Sequence, residues 1–512
     1  MTTGPSLRRA SLILIAGFLG SRALGVLRNV VLAGTFGAGL QLDAYFAAFR
    51  LPDLIFQLIG GAALGSAFLP TFTSLYGQRS PAAAWRLASA AINVFTLAGM
   101  VAAAVCFLAA PGIIPLTVPW YSEAGQEETV RLTRIMLGSA VFFCASGLVT
   151  GVLNGRHHFL LPAVAPGVYN LSIIGGALLL QAPAGIAGPA WGVTIGAGLH
   201  LLVQLPGLRS VGMAYRLTAG LGTPGLTEVL RLMGPRVLGL GSIQVNWLVT
   251  TVLASGLAAG SLAALSYGWA VAMLPIGVIA MAPAMAAFPQ LAEAAAQQRW
   301  DRYRHLLTAG LRQVLLLSLP GAAGLLLLRS PLVALLFERG MFDAASTQRT
   351  ADVLAYLLLG LPAHGALEVV ARGAYALKDT KTPMLFAVIG MAVHAAASLL
   401  LVGPFEANGL AMAMSLSAWI EAIGLALVVT RRTPGFAWST FTGPVIKTSM
   451  ATLFMALVVW AWLAAAPATE GTGSWLVRTL FGALVGGIAF GAAGVALGMP
   501  EMRDLLRVVR RR

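Results

Sequence analysis

Residues 11–37 read SLILIAGFLGSRALGVLRNVVLAGTFG. A run of this length can cross a lipid bilayer as a helix, and only Arg22 and Arg28 interrupt it with charge. It does not alternate in polarity, as the strands of a membrane β-barrel would. Arg8 and Arg9 precede it like the head of a signal peptide, yet no small-residue cleavage site closes a short apolar core. The stretch is therefore expected to remain as a first span.

Comparable runs follow outward from this one. Breaks at charged or Pro/Gly-rich segments place further spans at 41–77, 85–115, 129–155, 162–181, 185–206, 226–257, 262–292, 306–328, 349–376, 383–403, 407–431, 440–466 and 474–498. The expected fold class is an all-α polytopic membrane protein with fourteen transmembrane helices. Composition agrees: 58% of the 512 residues are hydrophobic, 10% are charged, and mean hydropathy is +0.84, which excludes an ordinary soluble enzyme. Fifty-nine glycines and 26 prolines suit helices that pack closely and break beside cavities. Cys106 and Cys144 fall inside apolar runs with no ligand spacing around them, which points to structural roles.

The formal charge of +15, from 33 basic and 18 acidic residues, fits either a nucleic-acid surface or loops held at the cytoplasmic face. With both termini inside, twenty basic residues fall in inner segments, from Arg8 and Arg9 through Arg156 and Arg299 to Arg510, Arg511 and Arg512. Five fall outside: Arg131, Arg134, Arg329, Arg339 and Arg349. This asymmetry orients the helices, and no nucleic-acid partner is expected. The outer segments also hold Glu123, Glu127 and Glu128. The run Arg507 to Arg512 reads as a plain cytoplasmic anchor, with a specific anionic-lipid site as the alternative.

The chain also repeats itself. Asp43-Ala-Tyr-Phe-Ala-Ala-Phe-Arg-Leu-Pro52 is echoed by Ser266-Tyr-Gly-Trp-Ala-Val-Ala-Met-Leu-Pro275, and Ala67-Phe-Leu-Pro70 by Ala286-Ala-Phe-Pro289. Gly151 to Pro162 matches Gly373 to Pro383. The offsets lie between 219 and 223 residues, and six helices separate the copies, so both halves enter the membrane in the same sense. The expected organisation is an N-lobe over 1–222 (helices 1–6), a C-lobe over 223–432 (helices 7–12), helices 13 and 14 over 433–498, and a basic tail over 499–512. Two such lobes suit alternating access.

Several charges lie inside the spans, where ionisable residues are costly and mark function. Arg22 and Arg28 sit in the first span among Gly17, Gly20 and Gly25, which would let the helix bend or unwind beside a cavity. Asp43 and Arg50 share a face, Asp53 lies a turn further on, and Leu51-Pro52 is expected to kink that helix. Arg236 is the third basic element, within Gly234 to Gly241. Ion pairs stapling helices 1 and 2 are one reading of this set. The other is a net positive interior for an anionic substrate, because guanidinium forks match phosphate oxygens in pairs. A cation exporter would instead depend on lone groups such as Glu368, Glu421, His200, His364 or His394. No phosphate-binding glycine loop, metal motif or nucleophile–base spacing is present, so an enzyme is not expected, nor a cofactor or bound metal, and an ion gradient or membrane potential would drive transport.

Ser21-Arg-Ala-Leu-Gly-Val-Leu-Arg28, Phe36-Gly-Ala-Gly39, Asp43-Ala-Tyr-Phe46, Phe49-Arg-Leu-Pro52 and Ala67-Phe-Leu-Pro70 together resemble the opening of the MurJ/MviN family, the lipid II flippases of the multidrug, oligosaccharidyl-lipid and polysaccharide exporter superfamily. The likeness covers roughly residues 8–432. Asn154, Pro162 to Pro166 and Asn170 fit its helix 4–5 corner, and Arg231-Leu-Met-Gly-Pro235 opens helix 7 as in the family. Leu336-Phe-Glu-Arg-Gly-Met-Phe342 and Arg372-Gly-Ala-Tyr-Ala-Leu-Lys-Asp-Thr-Lys-Thr-Pro383 are among its most specific signatures.

The resemblance implies export of the undecaprenyl-pyrophosphate-linked disaccharide pentapeptide of peptidoglycan across the bacterial cytoplasmic membrane, with both termini cytoplasmic. It implies membrane lipids and cell-wall synthesis proteins as surroundings, and a lipid-tail groove on helices 13 and 14. Arg22, Arg28, Asp43 and Arg50 align with the family's cavity residues, with Arg236 as a further candidate. Asp53 and the corner holding Arg372, Asp379 and Lys381 are candidates for gating. Phe56, Gln57, Gly61 and Ala270 stand where the family is usually charged, which makes this cavity less basic. A flippase for another polyprenyl-linked glycan and a cation-coupled multidrug antiporter are the alternatives.

Overall fold

The computed structural model describes residues 5–61, 68–77, 80–218, 220, 222–436, 438–465, 471–499 and 502, without the side chains of 5–16, 18, 234–236, 238–240, 439 and 440. Arg79, the side chains of Arg8 and Arg9, and the tail from Arg503 on thus lie outside the described residues.

Everything regular among the described residues is helical. The first part of the chain forms α1 (Pro5–Phe36), α2 (Leu40–Ala48), α3 (Arg50–Ile55), a π-helical turn Phe56–Gly61, α4 (Leu69–Gly77), α5 (Pro81–Thr117), α6 (Glu123–Gly155), α7 (Leu160–Leu179), α8 (Gln181–Ala184), α9 (Ala187–Leu202), α10 (Leu205–Ser210) and α11 (Leu226–Ala254). Then follow α12 (Ser261–Ile276), a second π-helical turn Gly277–Met281, α13 (Ala282–Ala296), α14 (Trp300–Leu327), α15 (Arg329–Phe337), α16 (Ala344–Leu359), α17 (Leu361–Ala376), α18 (Lys381–Arg431), α19 (Ser439–Ala465) and α20 (Thr472–Ala496).

This is an all-α polytopic membrane protein. Among the described residues nine helices are long and apolar enough to cross a membrane, or ten when α16 and α17, bent by 40°, count as one span. The fourteen spans expected from sequence are compatible with these helices. Two of them, 383–403 and 407–431, share α18, which turns at Glu406 (φ 50°, ψ −131°).

The chain divides into two compact units, one of 1–263 with 339–342, the other of 264–338 with 343–512. In the first, α6 packs against α5 and α9, and α7 against α1 and α9. Its core gathers Phe68, Phe72, Trp85, Phe95, Leu148, Leu153 and Leu226. The α7–α9 contact depends on missing side chains: a Cβ on Gly176 would stand 2.5 Å from the Gly188 carbonyl oxygen, and one on Gly192 2.7 Å from that of Ser172. In the second unit α14 packs against α17 and α19, and α17 against α18. There Leu316, Leu328, Met455, Val459 and Phe490 join α19 and α20 to the bundle.

The repeat reappears in the backbone. The π-helical turns begin 221 residues apart, at Phe56 and Gly277. Left-handed residues recur in pairs at the same spacing: His157 and Lys378, then Gly185 and Glu406, each 221 apart, with Gly37 and Gly260, and Gly212 and Gly435, each 223 apart. Each pair marks the same corner of the two copies. A turn made by Gly185 in the first copy is made by Glu406 in the second, at a backbone conformation that costs a side-chain-bearing residue strain.

Candidate functional site

In the first unit the sequence-predicted residues lie on α1 (Arg22, Arg28), α2 (Asp43), α3 (Arg50, Asp53) and α11 (Arg236). The helix α1 runs unbroken past Arg22 and Arg28, so its glycines do not unwind it. They admit α7 instead: a Cβ on Gly17 would meet that of Ala163 at 2.5 Å, and Gly25 faces the Asn170 amide. Asn170 donates to the Pro166 carbonyl at 3.0 Å and to that of Ser21 at 3.4 Å, beside half-buried Arg22.

The Arg28 guanidinium donates from Nε and Nη2 to Oδ1 of the adjoining Asn29, at 3.2 and 3.1 Å. Its charge acts on Tyr45, Tyr169 and Asp53. The next span breaks where proline chemistry requires. Pro52 has no N–H to offer the carbonyl four residues back, and α2 ends at that residue, Ala48.

The break sends Asp43, Arg50 and Asp53 to different partners. Asp43, 2% exposed, accepts the backbone N–H of Gly260 at 2.6 Å and of Ala263 at 2.7 Å. Arg50 turns to α11, where its Nε donates to Thr251 Oγ1 at 2.9 Å and its guanidinium carbon stands 4.5 Å from the Trp247 ring centroid. Asp53 lies within the fields of Arg50 and Arg28. Thus the hydrogen bonds of Arg28 and Arg50 go to neutral groups, and Asp53 is the acidic group whose field they share. Arg236 sits on α11, but its side chain lies outside the described residues.

Of the positions that the resemblance singles out as less basic, Phe56 packs on Phe143 with ring centroids 5.4 Å apart. Gly60 of the same π-helical turn would place a Cβ 3.3 Å from the Cys144 Cα. This turn carries no charge, and Gln57 is its one polar side chain.

In the second unit the Arg372-to-Pro383 corner is a clasp. Arg372 pairs with Glu368 one turn earlier on α17. Asp379 accepts the backbone N–H of Lys381 at 3.1 Å and of Thr382 at 3.0 Å, and pairs with Arg432 beyond the far end of α18. Burial opposes the ionised form of Asp379, but the Thr382 and Lys381 hydrogen bonds and the Arg432 charge outweigh it and hold the carboxyl below the usual carboxylate range. Lys378 makes the left-handed turn, φ 59°, that brings Asp379 round.

Sequence reasoning missed Trp247 and Thr251 as the partners of Arg50. Their spacing of four residues on an apolar helix was the available signal. It also left His200 as a lone histidine, whereas Ser146, Thr150 and Gln204 join it in one network.

A helical membrane fold whose two units repeat a π-helical turn and four left-handed corners, with half-buried arginines in one of them, is that of a transporter of the multidrug and polysaccharide-lipid exporter class. A solved multidrug transporter of that superfamily, in an inward-facing conformation, shares the fold at a TM-score of 0.69 and 14% identity over 81% of this chain and 95% of its own. Within the class the match sharpens: residues 32–481 fit the family described as lipid II flippase MurJ. A lipid II flippase MurJ of Burkholderia cenocepacia is 31% identical over 84% of this chain and 86% of its own length. A probable one from Bdellovibrio bacteriovorus is 28% identical over 98% and 96%. The solved structure of a lipid II flippase MurJ, in an inward closed conformation, superposes with a TM-score of 0.79 at 25% identity over 95% of this chain and 99% of that one. This chain belongs to the lipid II flippase MurJ family. The family match begins at residue 32, after Arg22 and Arg28.

Proposed function

We propose that this protein moves lipid II, the polyprenyl-pyrophosphate-linked sugar-peptide precursor of peptidoglycan, from the inner to the outer leaflet of the bacterial cytoplasmic membrane by alternating access. The observation that carries the site assignment is the bonding of Arg28 and Arg50 to Asn29, Thr251 and Trp247, all neutral. A pyrophosphate brings the compensating charge, and guanidinium groups bind its oxygens two at a time. Arg22, half-buried on the same helix as Arg28, is a further candidate for this role, and Arg236 remains one from its sequence position alone.

In this reading fourteen helices cross the membrane with both termini in the cytoplasm. The Arg372–Asp379–Lys381 corner, with Asp53, responds to the inward opening, and the outer faces of α19 and α20 accept the polyprenyl tail. Exposed Leu453, Phe454, Leu457, Leu484 and Ile488 suit that last role.

The test is leaflet-resolved access to lipid II in cells depleted of this protein and then restored. Depletion should trap lipid II in the inner leaflet, and wild type should release it. Arg28→Ala and Arg50→Ala, present at wild-type levels, should not. Normal export by both variants would overturn the site assignment.

A further inference from the structure

The repeat places a titratable side chain at matching positions of the two units. His200 on α9 and Glu421 on α18 are 221 residues apart, the spacing that also separates His157 from Lys378 and Gly185 from Glu406. An ionisable group inside a membrane span is costly and asks for a partner or a function.

The two groups are treated oppositely. His200 Nδ1 lies 2.5 Å from Ser146 Oγ, Gln204 Nε2 donates to that hydroxyl at 2.9 Å, and Thr150 Oγ1 donates to Gln204 Oε1 at 2.8 Å. That closed network gives His200 a structural role. Glu421 has no such set. Its carboxylate is seated against the bare backbone of Gly390, with Oε2 only 3.2 Å from where a Cβ would stand. Close by on the same helix, Gly424 receives the Phe386 ring, so the two halves of α18 interlock and hold the carboxylate in a glycine notch.

Among the described residues no hydrogen bond or ion pair reaches Glu421. The elements packed on this half of α18 are α16, α17 and its own first half. On α17 the titratable groups are His364, packed on Trp269, the Glu368–Arg372 pair and Tyr375. On α16 they are Arg349, Asp352 and Tyr356, and on the first half of α18 Lys381 and His394. None of these forms an ion pair with Glu421. Ten residues of helix separate Glu421 from Arg431, about 15 Å, which is half of a hydrocarbon core about 30 Å thick. A carboxylate at that depth without a cation neutralises itself by binding a proton.

We propose that Glu421 is a proton-carrying site of the second unit and couples flipping to the proton gradient. The carboxylate takes a proton from water on one side of the membrane, forming an O–H bond. In the opposite conformation that bond breaks and the proton returns to water on the other side, so one proton is carried per cycle and nothing else is consumed. What the proton drives rests on the lipid II reading above; the proton site itself does not.

Two measurements on the full-length protein in lipid vesicles test this. Infrared spectra at neutral pH should show a carboxylic-acid C=O band that moves in heavy water, is absent in Glu421→Gln and is shifted in Gly390→Ala, where a methyl fills the notch. Identical spectra for wild type and Glu421→Gln would overturn the proposal. In the second measurement labelled lipid II is followed under an imposed gradient. One pH unit acting through one proton should shift its distribution between leaflets by up to about tenfold, and Glu421→Gln should abolish the shift. A gradient response retained in Glu421→Gln, or missing in wild type that flips lipid II, overturns the coupling. A Glu421-dependent band in a protein that moves no lipid II would support the proton site and sink the substrate reading instead.

Discussion

Asp43 and Ala263 stand 220 residues apart in the chain, yet the Asp43 carboxylate accepts the Ala263 backbone N–H at 2.7 Å, while its second oxygen takes that of Gly260 at 2.6 Å. The first N–H groups of a helix have no acceptor within it, and the helix dipole favours a negative charge at that end. A carboxylate from α2 therefore caps the first turn of α12.

Asp43→Asn should destabilise the protein. An amide offers one acceptor oxygen, and its NH2 then confronts the other backbone donor, leaving a buried N–H unsatisfied at a cost of about 1–3 kcal/mol. Thermal unfolding in detergent should show a lower midpoint for Asp43→Asn, and Asp43→Ala should fall at least as far. An unchanged midpoint in both would mean that the cap contributes nothing.

Arg50 invites a comparison between strut and ligand. Its stack on Trp247 is worth roughly 0.5–2 kcal/mol, so Trp247→Leu should lower stability modestly while leaving the cation in place. Arg50→Lys keeps the charge but loses the planar fork. If Arg50 holds pyrophosphate, Arg50→Ala should weaken lipid II binding by about ten- to a hundredfold, the range for a hydrogen bond to a charged group, and Arg50→Lys by less. Equal loss of stability in Arg50→Ala and Trp247→Leu with unaltered lipid II binding would leave Arg50 as a strut.

What could be read from the chain differs by physical level. Apolar runs are local, so the helical membrane class was legible, and so was the repeat, whose echoed sequence leads in both copies into a π-helical turn, although α2 ends before Pro52 while α12 runs on through Pro275. The roles of individual charges were less legible. Asp43 and Arg50 lie seven residues apart on what reads as one helical face, but the break at Ala48 uncouples them: α11 supplies the partners of Arg50, and Gly260 with the start of α12 those of Asp43, all some 200 residues distant. The glycines of α1 read as points of unwinding because glycine favours both bending and close contact. Only the position of α7 decides between these.

Asp379 should give the corner a pH dependence of definite sign. Its carboxyl is held below the usual range, so its contribution is fully present above the ordinary carboxylate value of about 3.9 and is lost as pH falls through the lowered value. The ion-pair share is small, at most about 1 kcal/mol, since the Arg432 side chain is 55% exposed. Asp379→Asn should therefore unfold earlier than wild type at pH 7, and the gap between their midpoints should close as pH falls toward 3. A gap that is constant with pH would mean that only the shape of Asp379 matters.

The signature Leu336 to Phe342 has a steric reason that a glycine substitution can expose. Gly340 is left-handed at φ 60°, and a Cβ there would stand 2.2 Å from the Gly34 carbonyl oxygen, which also accepts the Met341 N–H at 2.9 Å. Across the same contact Gly37, φ 70°, would put a Cβ 2.7 Å from the Met341 carbonyl oxygen. Alanine at either site meets left-handed strain of about 1–2 kcal/mol plus a clash with backbone, which cannot rotate away as a side chain can. Gly340→Ala and Gly37→Ala should each lower the unfolding midpoint and speed proteolysis at Arg339. Because both act by parting one contact, the double variant should lose less than the sum of the two, as coupled neighbours do. Strict additivity would mean that the two glycines are required separately, each for its own turn.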